Sequence, residues 1–174
     1  MAVNASQPLR GPTRTILEAV KTKLVTLAVA GTDQITWAAR DQTPAHQAEH
    51  LIILRPRGFT TARNPGADGE GRITGKLKRI LAVHLRVRQA RDEPDRDTEW
   101  LFDETNGYLD FEDLVLDALD LFWPADAQGN DLIAEPMRVL DATDVTKDPR
   151  DSMWGDGTLY FEMQYQADLD QSRQ

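Results

Sequence analysis

The sequence predicts an α+β fold with the element order α-β-β-β-α-β-β, in which two helices pack on one face of a mainly antiparallel sheet. Two observations lead to this class. Two segments repeat apolar residues with the helical period, and two others alternate apolar with polar residues as half-buried strands do. Because each helix has a single apolar stripe, both helices are expected to lie against the same face of the sheet.

The first helix is predicted to start at Pro12, since proline suits the first helical position, and to stop at Gly31. Its apolar stripe consists of Ile16, Leu17, Val20, Leu24, Leu27 and Ala28. Two strands follow, one at 35–39 and one at 51–54 that is apolar on both faces and is closed by Arg55 and Pro56.

A third strand is predicted at 81–87, with one apolar and one basic face. The second helix is predicted to begin at Asp110, a good N-cap residue, and to end at Trp123 and Pro124. Its stripe consists of Phe111, Leu114, Val115, Ala118, Leu119 and Phe122. Strands at 135–141 and 158–165 complete the chain.

The chain is expected to form a single domain over residues 1–174. With 40% hydrophobic and 28% charged residues, its 174 residues suit one two-layer core. We place the core at about 13–168 and predict a flexible N-terminus at 1–11 and a C-terminal tail at 169–174. Long loops are predicted at 59–76, which is rich in glycine, and at 91–99, which is rich in charge.

The charge and composition exclude several classes of function. A formal net charge of −9 argues against a protein that grips nucleic acid through its phosphates. The chain has no cysteine, so it has neither disulfides nor thiolate chemistry. It lacks a secretion signal and a membrane span, so we expect a soluble, cytoplasmically made chain with no membrane partner.

One sequence pattern is typical of an enzyme. His46, Glu49 and His50 spell the H-x-x-E-H of inverted zinc peptidases, which places two imidazoles one helical turn apart with a carboxylate between them. That motif works on a stable helix, whereas here Pro44 precedes it and a predicted strand follows at once. A polar turn is the favoured interpretation. Nucleophile-elbow and phosphate-loop spacings are absent, so we predict no catalytic residues, no cofactor and no enzyme.

Surplus large apolar residues indicate subunit contacts instead. Leu116 and Leu121 lie off the main stripe of the second helix, and Trp123 and Tyr160 are large aromatic residues for which a small core has little room.

The order of elements resembles that of the tail-terminator (tail-completion) proteins of long-tailed bacteriophages. The likeness covers most of the chain. It rests on the amphipathic first helix, the mid-chain helix that ends at Phe122, Trp123 and Pro124, and the aromatic final strand at 157–165 after Trp154 and Gly155.

This resemblance implies a structural virion protein of the tail or neck, assembled in the host cytoplasm. Such proteins form a ring, expected to be a hexamer, that caps the tail tube and joins it to the head through neck or connector proteins. DNA passes through the channel without specific binding, and an acidic wall repels the DNA backbone. In such a ring, we expect basic residues of the third strand, Lys78, Arg86 and Arg88, to meet acidic residues of a neighbouring copy, Asp113, Asp117 and Asp120.

Three alternatives stay open at this level. The nearest is another virion connector or neck protein, such as a head-tail joining or stopper protein, or the equivalent cap of a contractile device. A small zinc hydrolase using His46, Glu49 and His50 predicts stoichiometric zinc. A bacterial adaptor domain with no virion role predicts a stable monomer or dimer.

Overall fold

The computed structural model describes residues 12–27, 35–37, 50–62, 72–88, 99–102, 107–147 and 154–170. The elements follow in the order α1 (Pro12–Val25), β1 (Ile35–Trp37), β2 (His50–Ala62), β3 (Arg72–Arg88), α2 (Glu99–Phe102), α3 (Tyr108–Leu119), β4 (Glu135–Ala142), β5 (Thr146–Lys147) and β6 (Trp154–Asp170). The predicted α+β class is confirmed, with the short elements α2 and β5 added to it.

The strands form one sheet in the order β1-β2-β3-β6-β4, and β5 also pairs with β6. Among the described strands, β1 pairs with β2 in parallel and the other pairs are antiparallel. The pairing of β3 with β6 extends over both strands, from Arg72 opposite Asp170 to Arg88 opposite Trp154. This long central ladder fixes which residues face the helices, because a slip of one residue would turn every side chain to the other face.

The core lies between the two long helices and one face of the sheet, as the single apolar stripes predict. Helix α1 buries four residues of its stripe, and α3 buries most of its own. The sheet contributes alternate residues of β3 and β6. The largest side chains of this core with almost no exposed surface are Ile16, Leu54, Leu81, Leu85, Tyr108, Leu119, Met137, Leu159, Phe161, Met163 and Tyr165.

Three strands are longer than the sequence predicts. Strand β2 continues to Ala62 and β3 starts at Arg72, so the predicted loop at 59–76 is wrong at both ends, and 63–71 lie outside the described residues. Strand β6 extends into the predicted tail, to Asp170. The added parts of these strands contain polar residues and glycine, whose backbone groups pair with the neighbouring strand. This pairing joins residues far apart in sequence, so it cannot be predicted from local composition.

Strand β2 continues past Pro56, where the sequence predicts its end, because it has a β-bulge there. The register of β2 on β3 shifts between Pro56 and Phe59, as a β-bulge requires. Strand β1 pairs with β2 only as far as Leu54, so the missing N–H of Pro56 removes no hydrogen bond to β1. The strand can therefore continue past the proline.

Both long helices have other bounds than predicted. Helix α1 ends at Val25, where the N–H of Thr26 is shared between the carbonyls of Thr22 and Lys23. Helix α3 starts at Tyr108 with Gly107 as its N-cap, two residues before the predicted Asp110. Tyr108 is fully buried. Its burial in the core favours the helical conformation at this residue. The predicted loop at 91–99 lies outside the described residues except Glu99, which begins α2.

Candidate assembly interface

The outer edge of β4 is covered by the segment that follows α3. The N–H of Leu121 donates to the carbonyl of Met137 at 2.8 Å, and the N–H of Met137 donates to the carbonyl of Phe122 at 2.9 Å. The N–H of Val139 donates to Oδ1 of Asp120 at 3.3 Å. The backbone groups of Met137 and the N–H of Val139 are therefore already hydrogen-bonded within the chain. A neighbouring subunit would contact the side chains at this part of the edge, not its backbone.

Those side chains are mostly apolar. Of the seven large hydrophobic residues that are exposed in the described part of the chain, five belong to α3, to the segment after it or to β4: Leu114, Leu121, Trp123, Val139 and Leu140. We call these five residues the apolar edge. Its most exposed members are Leu121 at 62% and Leu140 at 51%. Large apolar groups that cluster on a small domain mark sites of protein contact.

Leu121 also has an unfavourable backbone conformation. Its φ is 59°, in the left-handed region, and it is the one non-glycine residue with a positive φ in the described part of the chain. For a leucine this conformation costs about 1–2 kcal/mol. The bond from the N–H of Leu121 to Met137 accompanies this strained conformation, and such strain is concentrated at functional sites.

An acidic stripe borders the apolar edge. Asp110, Asp113 and Asp117 on α3 and Asp120 at its C-cap are spaced three or four residues apart, and all four are exposed. The last turn of α3 holds no basic residue. Carboxylates at this end are unfavourable because they lie at the negative pole of the helix dipole. A cation from another molecule would stabilise this end of the helix.

The acidic stripe belongs to a wider separation of charge. From the start of α3 to the end of β4, residues 108–142 include nine acidic residues and one basic residue, Arg138. Strands β2 and β3 together hold eight basic residues and no acidic one, and β6 holds four acidic residues and no basic one. Basic residues are therefore concentrated on β2 and β3, and acidic residues on β6 and on the segment from α3 to β4.

The exposed basic residues of β2 and β3 lie on the sheet face away from the helices. Arg57 is exposed, and its guanidinium lies 5.9 Å from the centre of the Tyr160 ring. On the same face, Lys78 donates to Glu162 at 3.2 Å and keeps 47% of its side-chain surface exposed. Ile80 beside them is also exposed. We call Arg57, Lys78, Ile80 and Tyr160 the basic face.

Arg86 is not available to a neighbouring subunit, contrary to the prediction. Its side chain is only 6% exposed, lies 3.7 Å from Asp156 and sits 5.3 Å from the centre of the Trp154 ring. Arg88 is half-buried and lies opposite Trp154 in the register of β3 and β6. The pairing of β3 with β6 brings an acid and an aromatic ring onto Arg86, which sequence spacing alone does not show.

The other predicted contact residues are distributed over both surfaces. Asp113, Asp117 and Asp120 form the acidic stripe, and exposed Trp123 belongs to the apolar edge. Tyr160 is half-buried on the basic face, and Lys78 lies there with it. Leu116 differs from the prediction, because it packs partly buried against the core, whereas Leu121 is exposed as expected.

Of the zinc motif, the structure describes only His50, which lies on a strand. His50 is the first residue of β2, is buried, and its ring centre lies 4.8 Å from that of Phe111. His46 and Glu49 lie outside the described residues. His84, on the sheet face away from the helices, bonds Oγ1 of Thr158 at 2.7 Å through its Nδ1. Within the described ranges, no group of three or more His, Cys, Asp or Glu residues is arranged to hold a metal ion.

Two titratable groups near the start of α3 have shifted pKa values. Burial raises the pKa of Tyr108, and the carboxylates of Glu112 and Asp156 raise it further. Burial also raises the pKa of Glu112, with a smaller contribution from Asp113. Both shifts favour the protonated form, so the start of α3 is a place where added negative charge is unfavourable.

Comparison with known proteins gives a weak structural similarity. No protein-family model matches the chain, and no curated protein matches it either. A chain of the solved structure described as the virion of native gene transfer agent (GTA) particle is similar at a TM-score of 0.49 and 12% identity. The match covers 87% of this chain and 98% of that chain. At this level of similarity no functional argument rests on it. No helix in the described part of the chain is long and apolar enough to span a membrane.

Proposed function

We propose that this chain is a structural subunit of a phage-type particle, a tail terminator whose copies form a ring at the end of the tail tube. The ring joins the tube to the head or neck, and DNA passes through its channel. The observation that carries the proposal is the apolar edge, five exposed large hydrophobic residues that border the acidic stripe. A surface of this kind suits a subunit that is incomplete until it is assembled.

The choice of a terminator within this class rests on the resemblance in sequence. The observed elements are compatible with it, since two amphipathic helices and an aromatic last strand are present. The acidic net charge of −9 per copy supports a channel through which DNA slides, because a ring multiplies this charge and repels phosphates. Hence we propose no reaction, no cofactor and no sequence-specific contact with DNA. The proposed place is the virion, after assembly in the host cytoplasm.

Negative-stain imaging combined with light scattering of the full chain tests the proposal. The expected result is a closed ring of one size, with six copies as the expected number, which forms at high protein concentration and low salt. A chain that stays monomeric or dimeric under these conditions would contradict the proposal and favour the adaptor domain. Zinc bound at one ion per chain in the same preparation would instead favour the hydrolase.

A further inference from the structure

We propose that the apolar edge of one copy docks on the basic face of the next copy, in a head-to-tail contact that repeats around the ring. The inference rests on the proposed function, which requires self-assembly, and adds which two surfaces meet. The edge comprises Leu114, Leu121, Trp123, Val139 and Leu140, bordered by the acidic stripe. The basic face comprises Arg57, Lys78, Ile80 and Tyr160.

The first argument for a second copy as the occupant is charge complementarity. The apolar edge adjoins four exposed aspartates, whereas strands β2 and β3, which supply Arg57, Lys78 and Ile80 of the basic face, have no acidic residue. An acid on this face, Glu162 of β6, already pairs with Lys78 and leaves Arg57 as the cation without a salt bridge to it. Two acidic surfaces repel each other, so the edge cannot pair well with its own copy around a twofold axis. An acidic surface and a basic surface on one chain fit each other when the contact is heterologous.

A second argument comes from the apolar content of both surfaces. Ile80 is exposed on the basic face, and Tyr160 there is half-buried with the Arg57 guanidinium near its ring. An interface core is typically apolar and aromatic with charged groups at its rim. Both surfaces have apolar or aromatic residues with charged residues around them, and the charged residues are acidic on one surface and basic on the other.

A third argument is the geometry of α3. Asp117 and Asp120 lie at the negative pole of the helix without a basic residue in the last turn. An arginine or lysine brought by a neighbour would stabilise that end of the helix. Arg57 is the best candidate, because it is exposed and has a flexible stem over an aromatic ring.

Because the contact joins two different surfaces, it can be tested by exchanging charge. Asp117→Lys places a cation opposite Arg57 of the next copy, and Arg57→Glu places a carboxylate opposite Asp117. Each variant alone is expected to lose about tenfold in association constant at low salt, measured by sedimentation velocity of the full chain. An equimolar mixture should recover association, since the two variants alternate around the ring. Arg14→Glu, at an exposed position on α1, is the matched control and should associate as the wild type does.

Each outcome is decisive. Variants that associate like the wild type overturn the docking proposal, while a wild-type ring leaves the proposed function standing. Variants that weaken association without recovery in the mixture overturn the pairing of these two surfaces. A wild-type chain that stays monomeric in low salt overturns both proposals. Unfolding curves that match the wild type ensure that a weakened variant is folded.

Discussion

The N–H of Leu121 donates to the carbonyl of Met137 at 2.8 Å, and this bond attaches the end of α3 to the edge strand β4. Leu121 accepts a left-handed backbone to make it and leaves 62% of its surface exposed. A residue that is both strained and exposed contributes little to the stability of its own chain. We therefore expect its apolar side chain to serve contact with another copy.

Leu121→Asn separates these two effects. Asparagine tolerates the left-handed conformation better than leucine, so the free energy of unfolding of the monomer should rise by about 0.5 kcal/mol. Association should weaken at the same time, because an apolar contact is lost. Leu140→Asn, which removes an exposed leucine without a positive φ, should weaken association without the gain in stability. A drop of more than about 1 kcal/mol in unfolding free energy for Leu121→Asn would contradict the account of strain.

Gly157→Ala should destabilise the fold by about 1–3 kcal/mol, because the core at this point has no room for a methyl group. A Cβ at Gly157 would collide with the hydroxyl oxygen of Tyr108. Chemical denaturation measures the loss, and Gly58→Ala is the control, since a Cβ there meets nothing within 4 Å. The effect of Gly157→Ala should be smaller in a Tyr108→Phe background, and full additivity would argue against the collision.

Tyr108 should make the fold sensitive to alkali. Its pKa is raised above the usual value of 10.0 by burial and by the carboxylates of Glu112 and Asp156. The neutral phenol is therefore favoured in the folded state, and its contribution is fully present below pH 10.0 and is lost as the pH rises further. Above that pH the wild type should lose unfolding free energy more steeply than Tyr108→Phe. Parallel curves for the two proteins would show that Tyr108 does not cause the loss.

Glu112→Gln should stabilise the protein at neutral pH. The pKa of Glu112 is raised from 4.5, first by burial and then by Asp113, so the folded state favours the protonated form. That contribution is present below pH 4.5 and is lost as the pH rises through the folded pKa, after which the carboxylate is unfavourable. Glutamine avoids this penalty. Thermal unfolding should show a higher midpoint for Glu112→Gln at pH 7 and no advantage below pH 4.5, and a lower midpoint at pH 7 would refute the shift.

The sequence predicted the helices better than the sheet. The stripes of α1 and α3 depend on local spacing, and residues such as Ile16, Val20 and Val115 are buried as expected. The lengths of β2, β3 and β6 depend on pairing between strands that are far apart in sequence. Residues of these strands such as Gly75 were therefore predicted to lie in loops, although Gly75 pairs with Ala167 in the sheet. Local composition does not report such partners.

The candidate interface was only partly predictable for the same reason. Exposed Trp123 was predicted because a small core has little room for large aromatic residues, and the acids of α3 follow from helical spacing. Leu121 is exposed as predicted, although it lies beyond the end of α3 and not on the helix. The burial of Arg86 depends on Asp156 and Trp154, which the register of β3 on β6 brings beside it. Val139, Leu140 and Arg57 were missed, although the absence of acidic residues from 50–62 and 72–88 is a signal that charge counts by segment would have found.

Thiol crosslinking tests the head-to-tail ring most directly, because the chain has no cysteine of its own. A chain that carries both Arg57→Cys and Asp117→Cys, treated with a short thiol-to-thiol crosslinker at low salt, should give a ladder of covalent oligomers that ends at one closed size. Chains with either cysteine alone should stay uncrosslinked. Covalent dimers from a single-cysteine chain, or no ladder from the double variant, would contradict a ring built from these two surfaces.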